Sequence, residues 1–171
     1  MKCVAVLAVL PFFVTTSFAQ DGEPAGVTKF KKTVTDQAAS ILLLAHPLFV
    51  NGKSTEFDGY KKIDDVHQIN WTITWVNSKK IDYATTFEFK FKIDKADQLH
   101  DLKIAIAKDT CPTKAFKGSN FITGPFRIKV KNKVREYVDD EDLLKSIDRI
   151  TTAEGLLEVW LTYANRMPKK K

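Results

Sequence analysis

Apolar and polar residues alternate strictly in two neighbouring stretches of the chain. In Ile69–Trp75 the odd positions are apolar and the even positions are polar. The alternation resumes from Ile81 to Ile93, after the turn-forming residues 77–80. A period of two residues places successive side chains on opposite faces of a strand. The pattern therefore predicts an antiparallel hairpin with one buried face, and a strand as long as Ile81–Ile93 is expected to be bent.

Two other stretches have the spacing that is typical of helices. Apolar residues recur every three or four positions in Lys29–Ala45 and again in Asp139–Ile150. Pro47 disfavours helix at the residue before it, so the first helix is expected to stop there. Asp139 is the expected N-cap of the second helix, because an aspartate side chain can accept hydrogen bonds from the first free amides.

The remaining stretches are shorter, and their patterns are less decisive. Asn51–Gly52 is a turn signal, and a polar stretch follows it as far as Gly59. Asp101–Lys108 fits either a strand or a helix, because eight residues do not separate the two periods. Phe126–Val130 and Leu157–Tyr163 alternate, so both are predicted to be strands.

Helices and antiparallel strands in one chain define the α+β class. We expect a curved antiparallel sheet packed against two or three helices, with a cone as one shape that such a sheet can take. A doubly wound parallel sheet is disfavoured, because strands and helices do not alternate regularly along the chain.

The first 19 residues have the features of a secretory signal peptide. Met1-Lys2 is followed by the apolar run Cys3–Phe13, and the small residues Ser17 and Ala19 precede an expected cleavage before Gln20. The alternative, a membrane anchor, is disfavoured because the apolar run is too short to span a bilayer. The protein is therefore predicted to be secreted and extracellular, with no transmembrane segment.

Removal of the leader leaves 171 − 19 = 152 residues, enough for one domain and too few for two. We expect one α+β domain in residues 20–167 and a basic tail in residues 168–171. The net charge falls from +6 to +5, because Lys2 is the only charged residue of the leader. The tail is either a solvated end or a contact for acidic surfaces. Nucleic acid is not an expected partner, because a secreted protein rarely meets it.

Two single residues carry predictions that follow from secretion. Asn70, in Asn70-Trp71-Thr72, is an N-glycosylation acceptor on the polar face of its strand, where a glycan would point to water. Cys111 is the last cysteine once Cys3 leaves with the leader. It is either a buried thiol that packs as a small hydrophobe, or the site of an intermolecular disulfide in a homodimer.

The apolar face of the predicted hairpin carries the candidate ligand-binding residues Trp75, Tyr83, Phe87 and Phe89. A concave aromatic sheet face is a common lining for a ligand pocket. The competing interpretation is ordinary core packing, because alternating aromatic residues mostly fill cores. The expected partner is a small hydrophobic ligand or an extracellular protein.

Candidate catalytic chemistry is limited to three histidines, His46, His67 and His100. Carboxylates lie near two of them, in Asp64–His67 and in Asp97–Asp101, but no HExxH pattern is present. Acid-rich turns with a nearby histidine are usually solvated, and the chain has neither a glycine-rich phosphate loop nor a GxSxG motif. We therefore predict no catalytic residue, no metal ligand and no cofactor.

Two segments resemble small secreted nematode proteins with a nuclear-transport-factor-2-like domain. Tyr137–Ile147 followed by Leu156–Leu161 is similar to the helix-then-strand step of that domain, and Ala115–Phe121 is similar to its aromatic approach. Ile81–Ile93 is similar to one of its long curved strands. The resemblance covers about half of the chain without its leader, and this chain stops where that family would continue with further strands. It implies a pocketed, non-catalytic extracellular module and transfers no functional residue.

Two classes of function therefore compete, with a third beside them. The first is a secreted binding or interaction module that uses the aromatic sheet face. The second is a small cone-fold enzyme with an acid and a tyrosine inside a pocket. The third is a basic, surface-adhering or defence protein that depends on Lys169–Lys171. An ionisable side chain inside the aromatic concavity would favour the enzyme, whereas a purely apolar interior would exclude it.

Overall fold

The computed structural model describes residues 23–46, 49–111 and 120–166, with only the backbone described for 120–123. These residues form five helices and four strands. In chain order the elements are α1 (Ala25–Asp36), α2 (Ala38–Ala45), β1 (Phe49–Ile63), β2 (Val66–Asn77), β3 (Asp82–Ile93), β4 (Leu99–Asp109), α3 (Asn120–Arg135), α4 (Glu141–Asp148) and α5 (Ala153–Ala164).

The four strands form one curved, open antiparallel sheet in the order β1-β2-β3-β4. The pairing of β2 with β3 runs without a break from Val66 opposite Lys92 to Val76 opposite Asp82. The predicted hairpin and the α+β class are thus confirmed. The ambiguous stretch Asp101–Lys108 belongs to strand β4.

The core lies between the helices and the inner face of the sheet. Odd-numbered side chains of β2 and β3 lie on this face because of the two-residue period, and all of them are buried except the half-buried Tyr83 and Ile93 at the ends of β3. Phe30 of α1 packs on this face, with its ring centroid 5.5 Å from that of Phe89 and 4.6 Å from that of Phe91. The opposite face of the sheet carries half-buried and exposed polar residues.

The first helical stretch is two helices, and the turn expected at Asn51–Gly52 is absent. Helix α1 ends at Asp36 and α2 begins at Ala38, with Gln37 between them accepting a hydrogen bond from Trp160 Nε1 at 3.0 Å. Asn51–Gly52 lies inside the edge strand β1, where the pairing with β2 is irregular. The glycines and polar residues of this strand are accommodated by shifts of register.

The strands predicted at Phe126–Val130 and Leu157–Tyr163 are wrong, since these residues belong to helices α3 and α5. The buried residues of α3 follow a four-residue spacing, Phe126, Val130 and Val134. The apparent alternation arose because Ile128 is apolar, yet it is 62% exposed. Stretches of five to seven residues contain too few positions to reveal this difference.

The helix predicted over Asp139–Ile150 is confirmed as α4, but its N-cap lies one residue later than expected. Asp140, not Asp139, is the N-cap, and its Oδ1 accepts hydrogen bonds from the amides of Asp142 and Leu143, both at 3.0 Å. The described residues therefore contain five helices where two or three were expected.

The predicted leader (residues 1–19), the basic tail (168–171) and most of the segment Ala115–Phe121 lie outside the described residues. Among the helices that are described, none combines the length and the apolar character needed to cross a bilayer.

Candidate functional site

A group of polar side chains is buried inside the otherwise aromatic core. We call it the His46 cluster, and it consists of His46, Trp75, Thr85 and Asp109. His46 follows the last residue of α2, Trp75 and Thr85 lie on the inner face of β2 and β3, and Asp109 ends β4. His46 is 1% exposed, while Trp75 and Thr85 are fully buried.

Thr85 is the hub of this cluster. Trp75 Nε1 donates a hydrogen bond to Thr85 Oγ1 at 2.9 Å, and Thr85 Oγ1 donates to Asp109 Oδ1 at 3.0 Å. His46 Nε2 lies 3.2 Å from Thr85 Oγ1 and 3.5 Å from Asp109 Oδ2. The cluster is positioned by sheet register, because Thr85 pairs directly with Asp109 across β3 and β4.

Hydrogen-bond counting assigns a tautomer to His46. A threonine hydroxyl has one proton and two acceptor sites. Because Thr85 gives its proton to Asp109, it accepts from both Trp75 and His46, so the proton of the neutral imidazole is on Nε2. Nδ1 is then a bare acceptor. It is buried and has no hydrogen-bond partner among the described residues.

The electrostatic setting keeps His46 neutral. Burial lowers the pKa of His46, and the smaller opposing effect of the nearby Asp109 carboxylate raises it. A neutral ring also packs well on an aromatic neighbour, and the centroids of His46 and Trp75 are 4.6 Å apart. Protonation would place a second charge in a largely apolar interior, where desolvation is costly.

Two half-buried aromatic side chains lie beside the cluster. The ring of Tyr83 is 4.9 Å from Trp75 between centroids, and the ring of Phe49 is 6.2 Å from it. Both side chains retain part of their accessible surface. The His46 end of the sheet therefore combines partly accessible aromatic surface with buried polar groups.

The structure separates the four predicted ligand-binding residues into two pairs on the same face. Trp75 and Tyr83 lie at the His46 cluster, whereas Phe87 and Phe89 lie further along β3 and both contact Trp71. Trp75, Phe87 and Phe89 are fully buried. Ligand binding by these residues stays a prediction, and in this structure three of them fill the core.

A second buried histidine lies near the other end of the sheet. His67 Nδ1 is 3.2 Å from the hydroxyl of Tyr60, and the His67 ring stacks between Tyr60 and Phe91. Burial is the main cause that lowers the pKa of His67, with a further contribution from Lys62. The Tyr60 hydroxyl thus gives Nδ1 of His67 a hydrogen-bond partner, whereas Nδ1 of His46 has none among the described residues.

The acid-rich motifs near histidines do not form a metal site in the described part of the chain. Asp65 pairs with Lys92 at 3.0 Å rather than with His67, and His100 pairs with Asp94 at 2.9 Å on the surface. That contact lowers the pKa of Asp94. Across residues 23–46, 49–111 and 120–166 no three His, Cys, Asp or Glu side chains are grouped as metal ligands would be.

Asn70 and Cys111 occupy contrasting positions. Asn70 lies on the outer face of β2, where its Oδ1 is buried without a hydrogen-bond partner among the described residues. A methyl group added at Gly59 of β1 would lie 2.9 Å from Asn70 Nδ2. Cys111 is 9% exposed, and its amide donates to Asp109 Oδ1 at 3.0 Å. The glycan and the intermolecular disulfide both stay predictions.

Sequence reasoning missed His46, Thr85 and Asp109 as a unit, although one signal was present. Thr85 occupies an odd position of β3, between Tyr83 and Phe87, and so interrupts the apolar face. A polar residue at such a position must find buried partners, because an unpaired buried hydroxyl is costly. The identity of those partners depends on the register of β4 and on the end of α2.

No protein-family model, curated protein or solved structure matches this chain.

Proposed function

We propose that the protein is a secreted, non-catalytic binding module whose ligand is a small, mainly apolar molecule with one hydrogen-bond donor. The ligand is bound at the His46 cluster. The bare Nδ1 of His46 carries the proposal, because a buried acceptor without a partner is rare in folded proteins. A hydroxyl or N–H group of a ligand supplies the missing donor.

The size of the effect makes the donor decisive for selectivity. Leaving a buried polar group unpaired costs about 1–3 kcal/mol. A ligand that donates to Nδ1 recovers this free energy, whereas an isosteric ligand without the donor does not. The expected preference is therefore about fivefold to 150-fold. Tyr83 and Phe49 supply partly accessible aromatic surface for the apolar body of the ligand.

The arrangement of the cluster supports binding over nucleophilic catalysis. In a catalytic triad the carboxylate holds one imidazole nitrogen while the other faces the nucleophile. Here Asp109 and Thr85 both lie at Nε2 of His46. The other ring nitrogen, Nδ1, has no hydrogen-bond partner among the described residues, so no described nucleophile faces it as a triad would require.

Two probes of nearly equal shape test the proposal. 2-Naphthol has a hydroxyl donor, and 2-methoxynaphthalene lacks it. Isothermal titration calorimetry of the secreted protein should show at least about fivefold tighter binding of 2-naphthol. Nitrogen NMR of the imidazole in the wild-type protein should show the Nδ1 resonance of His46 shifting on addition of 2-naphthol only.

Matched variants locate the effect. His46→Phe removes the acceptor, whereas His67→Phe removes the other buried histidine of the same core. The first should abolish the preference for 2-naphthol and the second should leave it in place. Failure of both probes to bind the wild-type protein, or a preference that survives His46→Phe in a folded variant, would contradict the proposal.

A small enzyme is the second candidate, and one observation favours it. The core interior is not purely apolar, because the neutral His46 and the carboxylate of Asp109 lie 3.5 Å apart within it. A neutral histidine can act as a general base. If this candidate is right, hydrolysis of 4-nitrophenyl acetate by the protein should be lost in His46→Phe and kept in His67→Phe. Equal rates in the two variants would exclude it.

Membership in the nuclear-transport-factor-2-like class is a hypothesis that accompanies the proposal. It is supported only at the level of a curved antiparallel sheet packed against helices. The helix-then-strand step that suggested it is a helix followed by a second helix, α4 and α5.

A further inference from the structure

We propose that the outer face of α3 docks on an anionic lipid surface. Helix α3 contains five basic residues and no acidic residue over its whole length. Its inner face is fixed in the fold by Phe126, Val130 and Val134, which are buried. The proposal is independent of the ligand site, because α3 contributes no residue to the His46 cluster.

The charge on this helix is only partly compensated. Lys131 pairs with Asp148 at 2.8 Å, and Lys133 pairs with Glu136 at 2.7 Å. Arg127, Lys129 and Arg135 have no carboxylate partner among the described residues. Arg127 instead donates to the carbonyl oxygen of Ile150 at 2.7 Å.

Two cations of this group, Lys129 and Arg135, have exposed side chains. Lys129 lies over the ring of Trp160, with its Nζ 4.9 Å from the centroid, and reaches Ser40 at only 3.5 Å. Arg135 contacts Asn132 at 3.5 Å. Both side chains are exposed, so neither has to leave a buried position to meet an anionic headgroup.

An apolar residue lies on the same face as Arg135, with Lys129 at the edge of that face. Ile128 is 62% exposed, and the helical spacing places it one turn from Asn132 and two turns from Arg135. An apolar side chain flanked by lysines and arginines is typical of helices that lie in the interface of anionic membranes. A sulfated polysaccharide would neutralise the cations but would offer Ile128 no apolar contact, so the lipid surface is the better match.

The tip of the β1–β2 hairpin provides a natural comparison. Ile63 is 61% exposed and follows Lys61 and Lys62, so this patch has the same apolar exposure and two exposed lysines. Asp64 and Asp65 follow immediately and carry as many negative charges as Lys61 and Lys62 carry positive ones, although Asp65 itself pairs with Lys92. The two patches therefore differ chiefly in net charge, which makes the hairpin tip a matched control.

Vesicle co-sedimentation of the secreted protein tests the proposal, with phosphatidylcholine vesicles that contain either no phosphatidylserine or about 25% of it. A Lys or Arg near an anionic membrane contributes about fivefold to the partition coefficient. The double variant Lys129→Gln/Arg135→Gln should therefore bind about 25-fold more weakly, and Ile128→Ser should also weaken binding. The control Lys61→Gln/Lys62→Gln should stay within about twofold of wild type.

Several results would overturn the proposal. Equal binding to the two kinds of vesicle would show that anionic lipid is not recognised. Equal losses of binding in the α3 and hairpin variants would show that α3 is not the docking surface. The face recognises a soluble polyanion instead if both Lys129→Gln/Arg135→Gln and Ile128→Ser keep full vesicle binding while the double variant loses binding to heparin. All variants retain Lys169–Lys171, so binding through the tail would appear as insensitivity to every substitution.

Discussion

Replacement of Thr85 by valine tests whether the buried hydroxyl is the hub of the His46 cluster. Valine matches threonine in shape, so the change removes the hydroxyl and leaves little cavity. Three groups then lose a partner inside the core: Trp75 Nε1, His46 Nε2 and one oxygen of Asp109. At about 1 kcal/mol for each lost hydrogen bond, the free energy of unfolding should fall by about 3 kcal/mol.

The neighbouring residue supplies the control. Thr86 lies on the outer face of the same strand and is half-buried, and among the described residues its hydroxyl bonds to that of Thr72 at 2.9 Å. Thr86→Val should cost about 0.5–1 kcal/mol, since one partly solvated hydrogen bond is lost. Urea unfolding monitored by tryptophan fluorescence measures both values. A loss below about 1 kcal/mol for Thr85→Val, or equal losses for the two variants, would refute the assigned hub.

The remaining predictions concern acid stability and two glycines. Burial is the main cause that lowers the pKa of both His46 and His67, so the unfolded chain takes up protons that the folded chain excludes. Stability should therefore fall as the pH is lowered through about 6.5, the unfolded value, and His46→Phe and His67→Phe should each flatten this dependence in urea unfolding at several pH values. Gly59→Ala should destabilise by about 1–2 kcal/mol, because Gly59 has a φ of +61° and the added methyl group would crowd Asn70. Gly124→Ala, with open space at the added methyl group inside α3, should instead stabilise by about 0.5–1 kcal/mol; thermal unfolding that ranks the two glycine variants in the opposite order would contradict both assignments.

The central hairpin was predictable because its two faces meet different surroundings. Both strands have one buried and one solvated face, so the alternation persists over a dozen positions and cannot be mistaken for a helix. The edge strand β1 lacks such a contrast. Most of its residues are half-buried or exposed, and its irregular register breaks the alternation at Gly52 and near Gly59. Turn-forming residues inside a bulged edge strand carry the same signal as a true turn.

Helices α3 and α5 were predicted as strands because the stretches that suggested strands were too short to reveal the helical spacing. In α5 four buried residues, Leu156, Leu157, Trp160 and Leu161, follow the helical spacing of one, three and one. The shorter stretch Leu157–Tyr163 samples only part of that spacing, and its odd positions happen to be apolar. The N-cap Thr152, whose hydroxyl accepts from the Gly155 amide at 3.2 Å, lies just before the stretch and was the better indicator of a helix.

Some residues of the candidate site could be predicted from a local sequence pattern, and others could not. Trp75 and Tyr83 follow from alternation, because both lie on the apolar face of one hairpin. The polar partners of the cluster are distant in sequence: His46 is 39 residues from Thr85, and Asp109 is 24 residues from it. Their meeting depends on the register between β3 and β4 and on the place where α2 ends, and neither is encoded in a local pattern.

The cost of the His46 cluster is itself an argument about function. Well-packed apolar residues of similar volume usually replace a buried polar network without loss of stability, and often with a gain. Removing a single member is costly only because it leaves its partners unpaired. Stability therefore does not explain why four polar groups occupy an aromatic core, nor why Nδ1 of His46 is left without a partner among the described residues. The proposed ligand contact would account for both features, since it requires a polar group in the core and an acceptor that the described residues do not use.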